Sequence, residues 1–168
     1  MRTRILTVSV VLVVFLAAGL AAAAVKDPGE FMGLKWLKSA AECKRLGLCT
    51  DEPIDVSDKL KDELVLRGTS YEIYGIPVWF TSFSFLNNRH FLGVASFEPG
   101  SSSFEKMKEK LVSAYGKPKM ESSQMASWTL GNTRIQLTSG GVAFCHIPTL
   151  SGVSKAKQYP PVLQTKRK

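Results

Sequence analysis

From Ala126 to Leu137 apolar and polar residues alternate. Ala126, Trp128 and Leu130 alternate with Ser127 and Thr129 before the turn, and Ile135 and Leu137 alternate with Arg134 and Gln136 after it. A period of two describes strands with one buried and one solvated face. Gly131-Asn132 between them suits a two-residue hairpin turn. Pairing outward sets Leu130 beside Thr133, Trp128 beside Ile135 and Ala126 beside Leu137, which assigns Trp128 to the core. The same treatment of "VWFTSFSFL" and "RHFLGVASFE", turning at Asn87-Asn88, puts Thr81, Phe83, Phe85, His90, Leu92 and Val94 on one face, expected under helices. The opposite face then carries Phe80, Ser82, Ser84, Phe91, Gly93, Ala95 and Phe97. Phenylalanines among small residues contrast with the polar face of the other hairpin. Two readings compete: cover by the loop at 51–62 or other chain, or an aromatic docking surface. In the second reading Phe80, Phe91 and Phe97 are the anchors, with Ser82, Ser84 and Gly93 allowing close approach.

Helical spacing marks two further segments. Ser39-x-x-Glu42 is a capping box opening a helix through Ala40, Cys43 and Leu46, which Gly47 stops. Ser102-x-x-Glu105 opens a second, with Phe104, Met107, Leu111, Ala114 and Tyr115 at helical intervals before Gly116 and Pro118. "ELVLRGTSYEIYG" from Glu63 has β texture, Gly75-Ile76-Pro77 turns the chain, and "VAFCHI" follows Gly140-Gly141 as a further strand. "GLKW" is a candidate short strand before the first helix, and residues 51–62 read as loop with a helical turn around Leu60. The order helix-sheet-helix-sheet predicts an α+β fold: an antiparallel sheet of two or three hairpin-connected segments with two helices packed on one face. The halves loosely repeat helix-then-hairpin.

The termini change the meaning of the composition. Arg2 and Arg4 precede an uncharged apolar run, Ile5 to Leu20, and Ala22-Ala23-Ala24 offers a cleavage site. This is signal-peptide anatomy, so 1–24 is expected to be removed and the protein exported, periplasmic or secreted. An N-terminal membrane anchor is the alternative, since Ile5 to Val25 is roughly the 20 residues needed to span a bilayer. The formal charge is +8, but residues 25–150 hold 15 basic against 14 acidic side chains. The excess lies in 151–168, which has five basic residues, no acidic one, and Pro160-Pro161. We therefore expect a single α+β domain over 25–150 and a basic flexible tail. The tail is a candidate contact for an anionic membrane surface; nucleic acid is not an expected partner of an exported chain.

Chemistry-bearing patterns are sparse. Export to an oxidising compartment predicts pairing among Cys43, Cys49 and Cys145. Cys43–Cys49 is favoured because the turn after Gly47 brings the chain back over the helix end, with Cys145 bonded to either as the alternative. Cys145 and His146 are strand neighbours on opposite faces, hence no nucleophile–base pair. His90, opposite Phe85, reads as a core-edge histidine. With two histidines and no CxxC or HxxxH spacing, no metal or other cofactor is expected. The sequence also has no Gly-x-Ser-x-Gly elbow or phosphate loop, so no enzymatic activity is expected.

Phe31-x-Gly33-x-x-Trp36, Tyr115-Gly116-x-Pro118 and Trp128-x-x-Gly131-x-Thr133-x-Ile135-x-Leu137 together resemble a group of small exported bacterial α+β proteins. The helix and sheet order also resembles the fold of the β-lactamase-inhibitor protein and of a small outer-membrane-assembly lipoprotein, although the chain lacks the latter's lipid-attachment cysteine. The resemblance implies a protein-binding role and carries no catalytic residues. The expected function is a non-enzymatic module that recognises an envelope protein through a sheet face. The site is expected at Phe80, Ser82, Phe91, Gly93 and Phe97. A small apolar-ligand carrier, or a small hydrolase or thiol enzyme, is the alternative.

Overall fold

A computed structural model describes residues 26–56 and 60–153. The chain forms β1 (Glu30–Phe31), β2 (Leu34–Lys35), α1 (Ala40–Arg45), β3 (Cys49–Pro53), β4 (Glu63–Gly68), β5 (Glu72–Ile73), β6 (Ile76–Pro77), β7 (Phe80–Leu86) and β8 (Arg89–Ser96). Then follow α2 (Ser103–Tyr115), β9 (Met120–Glu121), β10 (Met125–Leu130), β11 (Thr133–Thr138), β12 (Gly141–His146) and α3 (Ile147–Val153). Eight strands make one antiparallel sheet in the order β3-β4-β7-β8-β12-β11-β10-β9. The α+β class and the antiparallel sheet are as expected, but the sheet is wider than two or three hairpin segments. A helix followed by a four-strand meander occurs twice, and the last strands of the two meanders, β8 and β12, pair at the middle of the sheet.

Hairpin β10–β11 has the expected register, including Trp128↔Ile135 and Leu130↔Thr133, and Trp128 is buried. Its Nε1–H donates to the carbonyl of Gly116 at 2.8 Å, tying this hairpin to the stop of α2. Hairpin β7–β8 departs from expectation. Phe85 pairs with His90 as anticipated, but Ser84 then pairs with Leu92 and Phe83 with Gly93, leaving Phe91 as the extra residue of a bulge. One inserted residue reverses the parity of everything after it. Gly93 and Ala95 therefore share the helix-covered face with Phe83 and Thr81, while Leu92 and Val94 turn to the other face.

The helix-covered face forms the main core with Ala40 and Cys43 of α1 and Phe104, Met107 and Leu111 of α2. A smaller cluster on the opposite face gathers Phe91, Leu92, Ala143 and Cys145 under Leu150 of α3, with Leu60, Leu86 and Val94 packed against it. α3 continues past the boundary expected at residue 150.

Local signals fare unevenly. Ser39 accepts the Glu42 N–H at 3.2 Å as an N-cap, and Gly47 takes φ 68°. Ser102 makes no side-chain cap bond, and Ala114 is exposed rather than core. The expected loop from 51 begins instead as β3, whose polar sequence draws its strand character from pairing with β4. The signal and anchor readings of residues 1–24, and the tail from 154 onward, lie outside the described residues.

A segment before α1 positions the site. Asp27 accepts hydrogen bonds from Thr133 Oγ1 at 2.5 Å, Asn132 N at 2.6 Å and Gly29 N at 2.9 Å. Burial opposes ionisation of its carboxyl, but these three bonds win and hold its pKa below the ordinary value. Trp36 Nε1–H donates to the same Thr133 hydroxyl at 2.8 Å. Between these anchors, Phe31 lies on the bare backbone of Gly93, where any added Cβ would collide with its ring.

Candidate functional site

The five residues expected to form a docking face are all buried, and the structure divides them. Phe80 and Ser82 lie on the outer face of the sheet, with Arg67 over the Phe80 ring at 5.2 Å. Phe91 is fully buried in the smaller cluster, at 0% exposure. Gly93 and Phe97 belong to the other side, Gly93 beneath Phe31 and Phe97 in the main core. The bulge at Phe91 is the reason: an unbroken alternation was needed to align all five. Gly93 does permit close approach, but the group that approaches is this chain's own Phe31.

A recess of about 380 Å³ lies elsewhere, between the β1–β2 hairpin, the β5–β6 hairpin and the end of α2. Its lining includes Glu30, Phe31, Met32, Glu72, Tyr74, Tyr115 and Phe144. Both hairpins turn through two consecutive residues of positive φ, Met32-Gly33 (50°, 88°) and Tyr74-Gly75 (52°, 76°). Such a turn matches the twist of the flanking strands and tolerates glycine best at its second position. The sequences "EFMGL" and "EIYGI" are thus two copies of one device. Each places a glutamate at the strand start, a buried apolar residue next (Phe31, Ile73), and a large side chain at the tip, half-buried in Met32 and exposed in Tyr74. This echo, Glu-apolar-x-Gly-apolar, is the sequence signal that would have pointed to the site.

Aromatic packing fixes the walls. Phe31 and Phe144 have ring centroids 5.5 Å apart, and Tyr74 lies 6.5 Å from Phe144. The Tyr74 and Tyr115 hydroxyls are 3.1 Å apart and join the β5–β6 tip to the last residue of α2. Burial, then the Tyr115 hydroxyl, then the charge of Glu30 push the Tyr74 phenol above its ordinary pKa, so it remains a neutral donor. Neither Glu30 nor Glu72 enters an ion pair among the described residues, whose pairs are Lys44–Asp51, Arg45–Glu42, Lys108–Glu105 and Lys108–Glu121.

The nucleophiles and bases lie away from this recess. His90 is buried between Trp36, 4.9 Å away, and the Phe83 and Phe85 rings, with neither ring nitrogen in a hydrogen bond. Burial lowers its pKa to about 4, opposed only in part by backbone of Lys35, Leu92 and Leu34. His146 Nδ1 meets Thr149 Oγ1 at 2.9 Å across the start of α3, a local contact with no carboxylate bonded to the ring. All three cysteines are free thiols. Cys43 and Cys49 are neighbours 2.6 Å apart, outside disulfide distance, so the expected bridge is not formed here. Burial raises the pKa of each, that of Cys145 to about 11, which is opposite to the depression a thiolate nucleophile needs. Among the described residues no three His, Cys, Asp or Glu side chains converge on a metal position, and no helix is long and apolar enough to cross a membrane. Comparison of the chain with protein-family models, with curated proteins and with solved structures finds no match, so the geometry alone carries the functional reading.

Proposed function

We propose that the protein is an exported, non-enzymatic binding module that recognises a partner protein with the recess between its two hairpin tips rather than with the flat of the sheet. One observation carries this reading: a preformed concave site with aromatic walls and two carboxylates that form no ion pair among the described residues. Its volume falls within the range of specific ligand pockets, roughly 300–1,000 Å³, and accommodates one projecting side chain. The flat of the sheet is less suited, because the phenylalanines expected there are occupied in packing the fold itself. That same volume favours a second reading, a carrier of one small molecule. In either reading, export carries the unfolded chain into an oxidising compartment, where exchange with an external disulfide bridges Cys43 and Cys49 before the fold buries them.

A photo-crosslinking residue at Tyr74, compared with one at Arg67 on the outer sheet face, tests the reading in the native envelope. The expected outcome is a discrete protein adduct from position 74 and none from 67. Adducts from 67 alone would return recognition to the sheet face and overturn the proposal. A small molecule retained in native mass spectra, without any adduct, would replace it with the carrier reading.

A further inference from the structure

We propose that this recess selects a cation, an alkylammonium or guanidinium group seated against the rings of Tyr74 and Tyr115 and neutralised by Glu30 and Glu72. The inference rests on the recess being the recognition site, and three independent features agree on the sign of the ligand. First, the lining brings two carboxylates and, among the described residues, no basic side chain. Lys35 stands across the β1–β2 ladder from Glu30, yet it is exposed and closes no ion pair among the described residues. Second, the accessible wall carries the Tyr74 and Tyr115 rings, backed by the buried Phe31 and Phe144, and ring faces attract cations through their quadrupole. Third, Tyr115 ends α2, whose last turn contains no basic residue, so the negative end of the helix dipole lies beside the recess.

The alternatives fail on charge and solvation. An anionic ligand would meet two carboxylates and a helix C-terminus. A neutral apolar ligand would strip water from Glu30 and Glu72 without replacing it, an unfavourable exchange for ionised groups. A cation exchanges that hydration for direct contact. The Tyr74–Tyr115 hydroxyl pair supplies a polar edge without adding positive charge.

The test is an NMR titration of the full isotope-labelled chain with three probes: choline, its uncharged isostere 3,3-dimethyl-1-butanol, and the peptide acetyl-Gly-Lys-Gly-amide. Saturable shifts of Tyr74, Tyr115 and Glu72 resonances are expected with choline or the peptide, with the isostere about tenfold weaker. Tighter binding of the peptide assigns the cation to a protein side chain; tighter choline assigns it to a small amine. Glu30→Gln and Glu72→Gln should each weaken the charged probes by about three- to tenfold while leaving the isostere unchanged. Both residues are solvent-accessible at hairpin starts, and Tyr74→Leu at an exposed tip is a second disruptive variant. Isostere binding as tight as choline, or Gln variants that bind like the parent chain, overturns the cation proposal while leaving the recess as the site. Absence of saturable shifts with every probe overturns both.

Discussion

Hairpins β7–β8 and β10–β11 share a plan, paired strands around a two-residue turn, and yet they resolve their side chains differently. β10–β11 keeps six pairs in unbroken alternation. In β7–β8 the ladder holds for Leu86↔Arg89 and Phe85↔His90, then skips Phe91. Without the skip, Leu92 would oppose Phe83 on the helix side, where Phe31 lies. With it, the residue under Phe31 is Gly93, and both Phe91 and Leu92 enter the cluster beneath α3. Volume explains the difference. A ring pressed onto a sheet needs a position without a side chain, and the bulge moves the only local glycine into it.

The sharpest way to break this comparison is Phe91→Ala. A fully buried phenylalanine truncated to alanine is expected to cost about 3–5 kcal/mol, read by denaturant unfolding. Retained stability would mean that the bulged residue is not packed. Gly93→Ala comes next, at about 1–3 kcal/mol, because the new methyl collides with Phe31. Adding Phe31→Leu should recover part of that loss, and failure to recover any would remove Phe31 as the reason for the glycine.

Acid sharpens the contrast further, since His90 belongs only to the bulged hairpin. Its pKa is about 4 in the fold against an ordinary 6.5. The unfolded chain therefore takes up a proton first, and stability is full above about pH 6.5, falls through the interval to about pH 4, and is flat for this group below it. The Trp36, Phe83 and Phe85 rings offer no compensating charge, and His146 opposes protonation. His90→Leu should flatten unfolding midpoints across that interval; an unchanged pH profile would assign the acid sensitivity elsewhere. The smallest effect is expected from Thr129→Ala on the solvated face of β10, within about 0.5 kcal/mol by thermal unfolding. A large loss there would show that this face is covered.

Legibility followed the range of the interaction. Helix α1, the Gly47 and Gly116 stops and the β10–β11 register rest on spacings of a few residues, and they were readable. Strand β3 was not, because "CTDEP" has little strand character of its own and takes it from β4. The recess was half legible. Phe31-x-Gly33 and Tyr115-Gly116 were visible as motifs, and the echo of "EFMGL" in "EIYGI" was available, but Glu30, Tyr74, Tyr115 and Phe144 are far apart in the chain.

By itself, then, the sequence determined the two longer hairpins and their turns, the helices α1 and α2 and the class of the fold, through propensities and periodicities that act over one or two helical turns or a hairpin. Only the tertiary structure decided which face each residue after Phe91 occupies, what lies on Gly93, and that two glutamates and four aromatic rings converge on one recess. Those outcomes depend on close packing between segments distant in sequence, where one inserted residue reverses a face and the volume of a single ring selects the register.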